Sequence, residues 1–241
     1  GAELLKEQKL GGDAVFKNED IIVKTANGVK SLSIEQVEGI YAEKGTGTVT
    51  YDTISDTAAA IYKHKVTDTK ALADSKNIII DETGNAYATV AQYLGIRSAA
   101  GAKTITLTKV VDTATKLFDE AKKGGFGKLD EADVKKVEVN ETGNAYATVA
   151  QIEKIAEAKG DVTSKVIYTK IEDTAKVLSD YVDAGAAGKY IDGVDVIIDE
   201  TGASYTDVAQ LININTKAKS VQFTKIEDTA AKLNTEAAKG S

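Results

Sequence analysis

This chain copies itself, and that limits what it can fold into more than any other feature. Thr83, Thr142 and Thr201 lie in three nearly identical segments, Asp81 to Gln92, Asn140 to Gln151 and Asp199 to Gln210, at a constant step of 59 residues. A second signature, Asp-Thr-Ala, starts at Asp56, Asp112, Asp173 and Asp228 and alternates with the first. A degenerate first copy supplies Ser33-Ile34-Glu35-Gln36 ahead of Asp56. The pattern divides the chain into a degenerate first repeat over 1–65, suited to cap the N-terminal end, and repeats over 66–123, 124–184 and 185–241. A supersecondary unit of this size buries its apolar face by stacking on its neighbours, so the expectation is one continuous repeat body. The competing arrangement is two compact α/β domains of two repeats each, parted near Gly124-Gly125-Phe126-Gly127.

Within each repeat the periodicity changes from two to helical. Ile78, Val137 and Val196 form one apolar column, and Ile80, Val139 and Ile198 form a second two residues on. Ile79, Glu138 and Ile197 lie between them. That spacing predicts a strand with one face always buried and one partly covered. A second strand is predicted before each Asp-Thr-Ala, from the columns Val49, Ile105, Val166, Val221 and Tyr51, Leu107, Tyr168, Phe223. Ser33 to Gln36, Thr89 to Gln92, Thr148 to Gln151 and Asp207 to Gln210 each fit a capping box and mark four helix starts. Asp56, Asp112, Asp173 and Asp228 stand where a second set of helices begins, as caps or in the first turn, their charge favoured by the helix dipole. The fold expected is α/β, with tandem strand–helix–strand–helix repeats in a solenoid-like or elongated array. Strand-to-strand crossovers through helices favour a parallel sheet.

Composition removes several functions. The formal charge is −7, and Arg97 is the only arginine, so neither a nucleic-acid partner nor bidentate anion recognition is expected. No apolar run is long enough to insert in a bilayer. Cysteine, methionine, tryptophan and proline are all absent. Lacking oxidisable side chains suits a protein exported to an exposed surface. The leading Gly1 and the Gly240-Ser241 ending read as joining residues, so a piece of a longer chain is expected.

Candidate sites are few. His64 is the only histidine and lies in the charged stretch Ile61-Tyr62-Lys63-His64-Lys65, which reads as a solvent-exposed helix end. Asp81 with Glu82, and Asp199 with Glu200, recur at strand ends before a Thr-Gly turn, with Asn140-Glu141 between them. Hard oxygens so placed could hold calcium; neighbouring strand residues point to opposite faces, and the plainer use is to end the strand. No other cofactor is required. Tyr87, Tyr146 and Tyr205 also recur, and stacked repeats would align them into an aromatic ladder. Such a ladder could take glycan rings, or each ring could pack over a neighbouring helix start. The chain lacks a nucleophile–base pair, a metal cluster and a nucleotide-loop fingerprint, so an enzyme is not expected.

The stretches Ile54 to Ile61, Val110 to Leu117, Ile171 to Leu178 and Ile226 to Leu233 carry Asp-Thr-Ala after a strand, with an apolar residue behind. They resemble repeats of large secreted bacterial surface proteins, namely S-layer proteins and adhesins exported by type I systems. The resemblance implies an extracellular, cell-surface protein, often calcium-dependent. The calcium nonapeptide Gly-Gly-x-Gly-x-Asp is nowhere present, so the resemblance does not bring calcium with it. The function expected is a structural segment of an S-layer or extracellular matrix protein that self-assembles through repeat stacking. Its partners would be copies of itself or the rest of a longer chain. The alternative is an adhesin module binding a glycan or host surface.

Overall fold

The computed structural model describes residues 20–23, 31–67, 72, 74–101, 103–123, 134–160, 165–203 and 205–239. Strands β1 (Ile21–Ile22), β2 (Val49–Thr50), β3 (Thr53–Asp56), β4 (Asn77–Ile80), β5 (Thr104–Thr106) and β6 (Lys109–Asp112) alternate with helices. The helices are α1 (Ile34–Glu43), α2 (Ala58–Thr67), α3 (Val90–Ala100) and α4 (Ala114–Lys122). There follow β7 (Lys136–Val139), α5 (Val149–Ala158), β8 (Val166–Ile167), β9 (Lys170–Asp173), α6 (Ala175–Asp183), β10 (Asp195–Ile198), α7 (Val208–Asn215), β11 (Ser220–Gln222) and α8 (Ala230–Ala238). The chain forms two compact units, Gly1–Val111 with Glu131–Lys135, and Asp112–Asp130 with Lys136–Ser241. The glycine stretch 124–127 lies outside the described residues.

The fold is α/β with parallel sheets. In the first unit β1 pairs with β2, and β4 pairs on one edge with β3 and on the other with β5. In the second, β7 pairs with β8, and β10 lies between β9 and β11. Every one of these pairings is parallel.

Before each of the first three Asp-Thr-Ala signatures there is not one strand but two, which corrects the reading from the columns. β2 and β3, β5 and β6, and β8 and β9 are each separated by two residues. In the second unit, β8 belongs with β7, whereas β9 belongs with β10. The two-residue break, Tyr168-Thr169, carries the chain from one sheet to the next. The column Tyr51, Leu107, Tyr168 falls in the break itself and keeps the period of two up to it, so periodicity could not reveal it.

All four capping boxes form. Ser33, Thr89, Thr148 and Asp207 accept from the N3 amide, and Gln36, Gln92, Gln151 and Gln210 accept from the cap amide in return. The core lies between the helices and one face of the sheets. In the first unit the strand residues Ile54, Ile78 and Val110 and the helix residues Ile61, Tyr93 and Ile96 are fully buried; in the second, Val137 and Ile171 are, together with Leu117, Ile152 and Leu178. The alternate strand residues stay open, Ile79 being 37% exposed, as the mixed column predicts.

Helix contacts depend on small residues. An added Cβ at Gly95 of α3 would lie 2.4 Å from Tyr62 Cε2, on α2. Gly95→Ala should therefore cost about 1–3 kcal/mol through overpacking, despite the ~1 kcal/mol gain in helix propensity. In a Tyr62→Ala background the same change should turn stabilising, which a double-mutant cycle by urea unfolding measures.

Candidate functional site

The residues that recur in every repeat meet where each strand hands over to a helix. Asp81, Asn140 and Asp199 end β4, β7 and β10. Their side-chain oxygens accept from the amides of Thr83, Thr142 and Thr201 at 2.9, 3.1 and 2.9 Å. This is an Asx-turn, and it starts the tight turn that follows. Gly84 and Asn85 then take φ of 68° and 64°, and Gly143 and Asn144 take 73° and 62°, the left-handed region that Gly and Asn tolerate best.

The neighbouring glutamates reach across to the next strand break. Glu82 accepts from Thr108 N–H at 3.1 and 3.0 Å, from Thr108 Oγ1 at 2.6 Å and from Lys109 N–H at 3.3 Å. Glu141 holds Thr169 and Lys170 the same way, with amide distances of 2.8 and 3.2 Å. Glu200 holds Thr224 and Lys225, at 3.1 and 3.2 Å. The hydroxyls of Thr169 and Thr224 donate to the same carboxylates. Each glutamate thus satisfies the amides that the β5–β6, β8–β9 or equivalent break leaves without a strand partner.

Within each pair the aspartate serves its own turn and the glutamate a turn 24 to 29 residues ahead. Among the described residues no three His, Cys, Asp or Glu side chains are grouped to hold a metal ion. The carboxylates accept from backbone amides, and a calcium shell of about six to eight oxygens would need further ligands. The melting temperature is expected to stay within about 1 °C between excess EGTA and millimolar calcium, whereas a rise above about 5 °C would establish a calcium site.

Tyr87, Tyr146 and Tyr205 are half-buried beside these turns. The ammonium groups of Lys109, Lys170 and Lys225 lie over their rings, 4.1, 5.3 and 4.2 Å from the centroids. The hydroxyls of Tyr87 and Tyr146 donate to Asn85 and Asn144. The recurring cluster is therefore one glutamate, one Thr-Lys turn and one tyrosine under the lysine, repeated three times.

The Asp-Thr-Ala aspartates do a different job from the one their position suggests. The threonine is the helix cap: Thr113, Thr174 and Thr229 accept from Lys116, Val177 and Lys232 amides, and Thr57 from Ala60. Each aspartate sits one residue earlier. Its Oδ1 accepts from the threonine amide at 2.7–2.9 Å. The Oδ2 atoms of Asp56, Asp173 and Asp228 reach back to the first amide of α1, α5 and α7, Ile34, Val149 and Val208, at 3.0, 3.2 and 3.2 Å. One carboxylate therefore serves two helix N-termini, which is where an external anion would otherwise bind.

Burial raises the Asp173 carboxyl above its ordinary value, against the amides of Thr174 and Val149. Glu200 is shifted down, chiefly by the Thr224 hydroxyl and then by the amides of Thr224 and Lys225, against some desolvation. A lowered folded pKa gives stability that is present at neutral pH and lost as the pH falls through it. The urea midpoint should hold from pH 7 down to the ordinary glutamate value of 4.5 and decline below it. Glu200→Gln should remove part of that acid decline.

His64 is buried, not exposed. Its Nδ1 lies 2.6 Å from Glu38 Oε1, on α1. Tyr181 fills the equivalent place on α6 and donates to Glu153 of α5 at 2.6 Å. Charged neighbours in sequence hid a packing position between helices. Arg97 is buried too and donates to the carbonyls of Gly101 and Lys103 at the end of α3.

Scans of protein families, of characterised proteins and of solved structures find no match to this chain. Among the described residues no helix is long and apolar enough to cross a membrane.

Proposed function

We propose that this chain is a structural segment of a secreted bacterial surface protein, of the S-layer or extracellular matrix kind. Its repeats stack into an elongated array and self-assemble. One observation supports this above all. The acidic and aromatic groups repeated in each unit are spent on holding one strand–helix segment to the next. Glu82, Glu141 and Glu200 hold the strand breaks, and Asp56, Asp173 and Asp228 join successive helix starts. Chemistry invested in continuity suits a scaffold better than a catalyst. The adhesin reading needs open ring faces, and a lysine lies over each of Tyr87, Tyr146 and Tyr205.

Small-angle X-ray scattering of the dilute chain, together with a glycan array, tests this proposal. A rod-like profile with no glycan retained is expected. A globular profile would sink the array. Glycan retention abolished by Tyr87→Ala and Tyr146→Ala would move the function to adhesion.

A further inference from the structure

The last half of the fourth repeat, from Val221 on, carries the same apolar columns as the other repeats but leaves them uncovered. Ile61, Leu117 and Leu178 are 0% exposed, whereas their counterpart Leu233 is 39% exposed. Tyr51 and Leu107 are buried, whereas Phe223 is 37% exposed. Ala58, Ala114 and Ala175 are buried, whereas Ala230 is exposed. The segment Lys225 to Asp228 matches strands β3, β6 and β9, yet it is not a strand. It makes one bridge, Thr206 to Ile226, on its inner edge. In the other repeats the outer edge is where the next strand pairs, as β10 does with β9 and β4 with β3.

A strand of that kind stands at the other end of the chain. β1 pairs with β2 as β4 pairs with β5, Ile21 facing Val49 as Ile78 faces Ile105. Among the described residues nothing pairs with its second edge. We infer that a second copy of this chain docks head to tail on the exposed end, its β1 pairing in parallel with Lys225 to Asp228 and its α1 packing on α8. The inference rests on the structural role proposed above and names the partner.

The pairing register follows from β9 and β10, where Lys170 faces Asp195, Ile171 faces Val196 and Glu172 faces Ile197. The counterparts across the junction are Lys225 with Asp20, Ile226 with Ile21, and Glu227 with Ile22. Charge agrees with this register. Asp195 takes a hydrogen bond from Ser220 and feels Lys170. Asp20 takes the matching bonds from Thr48 amide and hydroxyl, at 2.9 and 2.7 Å, and would meet Lys225.

Cysteine pairing tests this, because the chain has no cysteine of its own. An Ile22→Cys chain and a Glu227→Cys chain are mixed in equal amounts and oxidised. Both positions lie on the open sheet face, and parallel neighbours fall within disulfide reach. The ratio of mixed to like dimers, about one for random pairing, should rise to about ten, and Leu233→Glu in the Glu227→Cys chain should return it to about one. Sedimentation of the unmodified chain should show concentration-dependent growth. A statistical mixture of dimers, or a monomer at every concentration, would overturn the second-copy assignment and give this face to a further repeat. The dilute scattering profile is independent of that result, so a monomeric rod would leave the structural role standing and remove only the docking.

Discussion

Replacing Asp173 by alanine should cost about 2–4 kcal/mol, because one carboxylate serves two helix starts. Its Oδ1 accepts from Thr174 N–H at 2.9 Å and its Oδ2 from Val149 N–H at 3.2 Å. Loss of a single cap costs about 1 kcal/mol. Here two amides lose their acceptor at once, next to core residues Val149 and Ala175 that limit the approach of water. Asp173→Asn keeps one acceptor oxygen and should cost about half as much. Urea unfolding followed by circular dichroism measures both, and a loss below about 0.5 kcal/mol for the alanine variant would show that the bridge contributes little.

The second large effect is a contrast between equivalent leucines. Leu178→Ala should cost about 2–5 kcal/mol, since the side chain is 0% exposed and its removal leaves a cavity. Leu233→Ala, at the same place in the last repeat, should cost less than about 0.5 kcal/mol in the dilute chain, since Leu233 is already 39% exposed. Thermal unfolding of the two variants at low concentration gives the comparison. Equal losses would mean that α8 is packed more tightly than its exposure indicates. At high concentration, docking of a second copy should make the Leu233 variant the weaker of the two associations.

Much of this fold was legible residue by residue. The capping boxes could be read because the interaction is local: Ser33 and Gln36 are three residues apart and need only each other. The paired strand columns were legible because burial of one sheet face imposes a period of two. The strand break at Tyr168-Thr169 was not, because what defines it is the choice of neighbour. The aspartate bridge escaped for a related reason. Asp173 is 24 residues from Val149, and nothing in Asp-Thr-Ala alone indicates a partner that far back. His64 looked exposed because its sequence neighbours are charged, while its surroundings are set by α1. The sites divide along the same line. The recurrence of Asp81, Glu82 and Tyr87 was visible, but the turn held by Glu82 26 residues away and the lysine over Tyr87 were not.

By itself the sequence determined the repeat, its alternation of strands and helices, and the start of each capping-box helix, because those depend on contacts within a few residues. The tertiary structure alone decided which strand joins which sheet and where the shared carboxylates reach. It also decided which copies of an apolar column are covered. Identical residues become core or surface according to whether a neighbour is present, as the 0% and 39% exposures of Leu178 and Leu233 show.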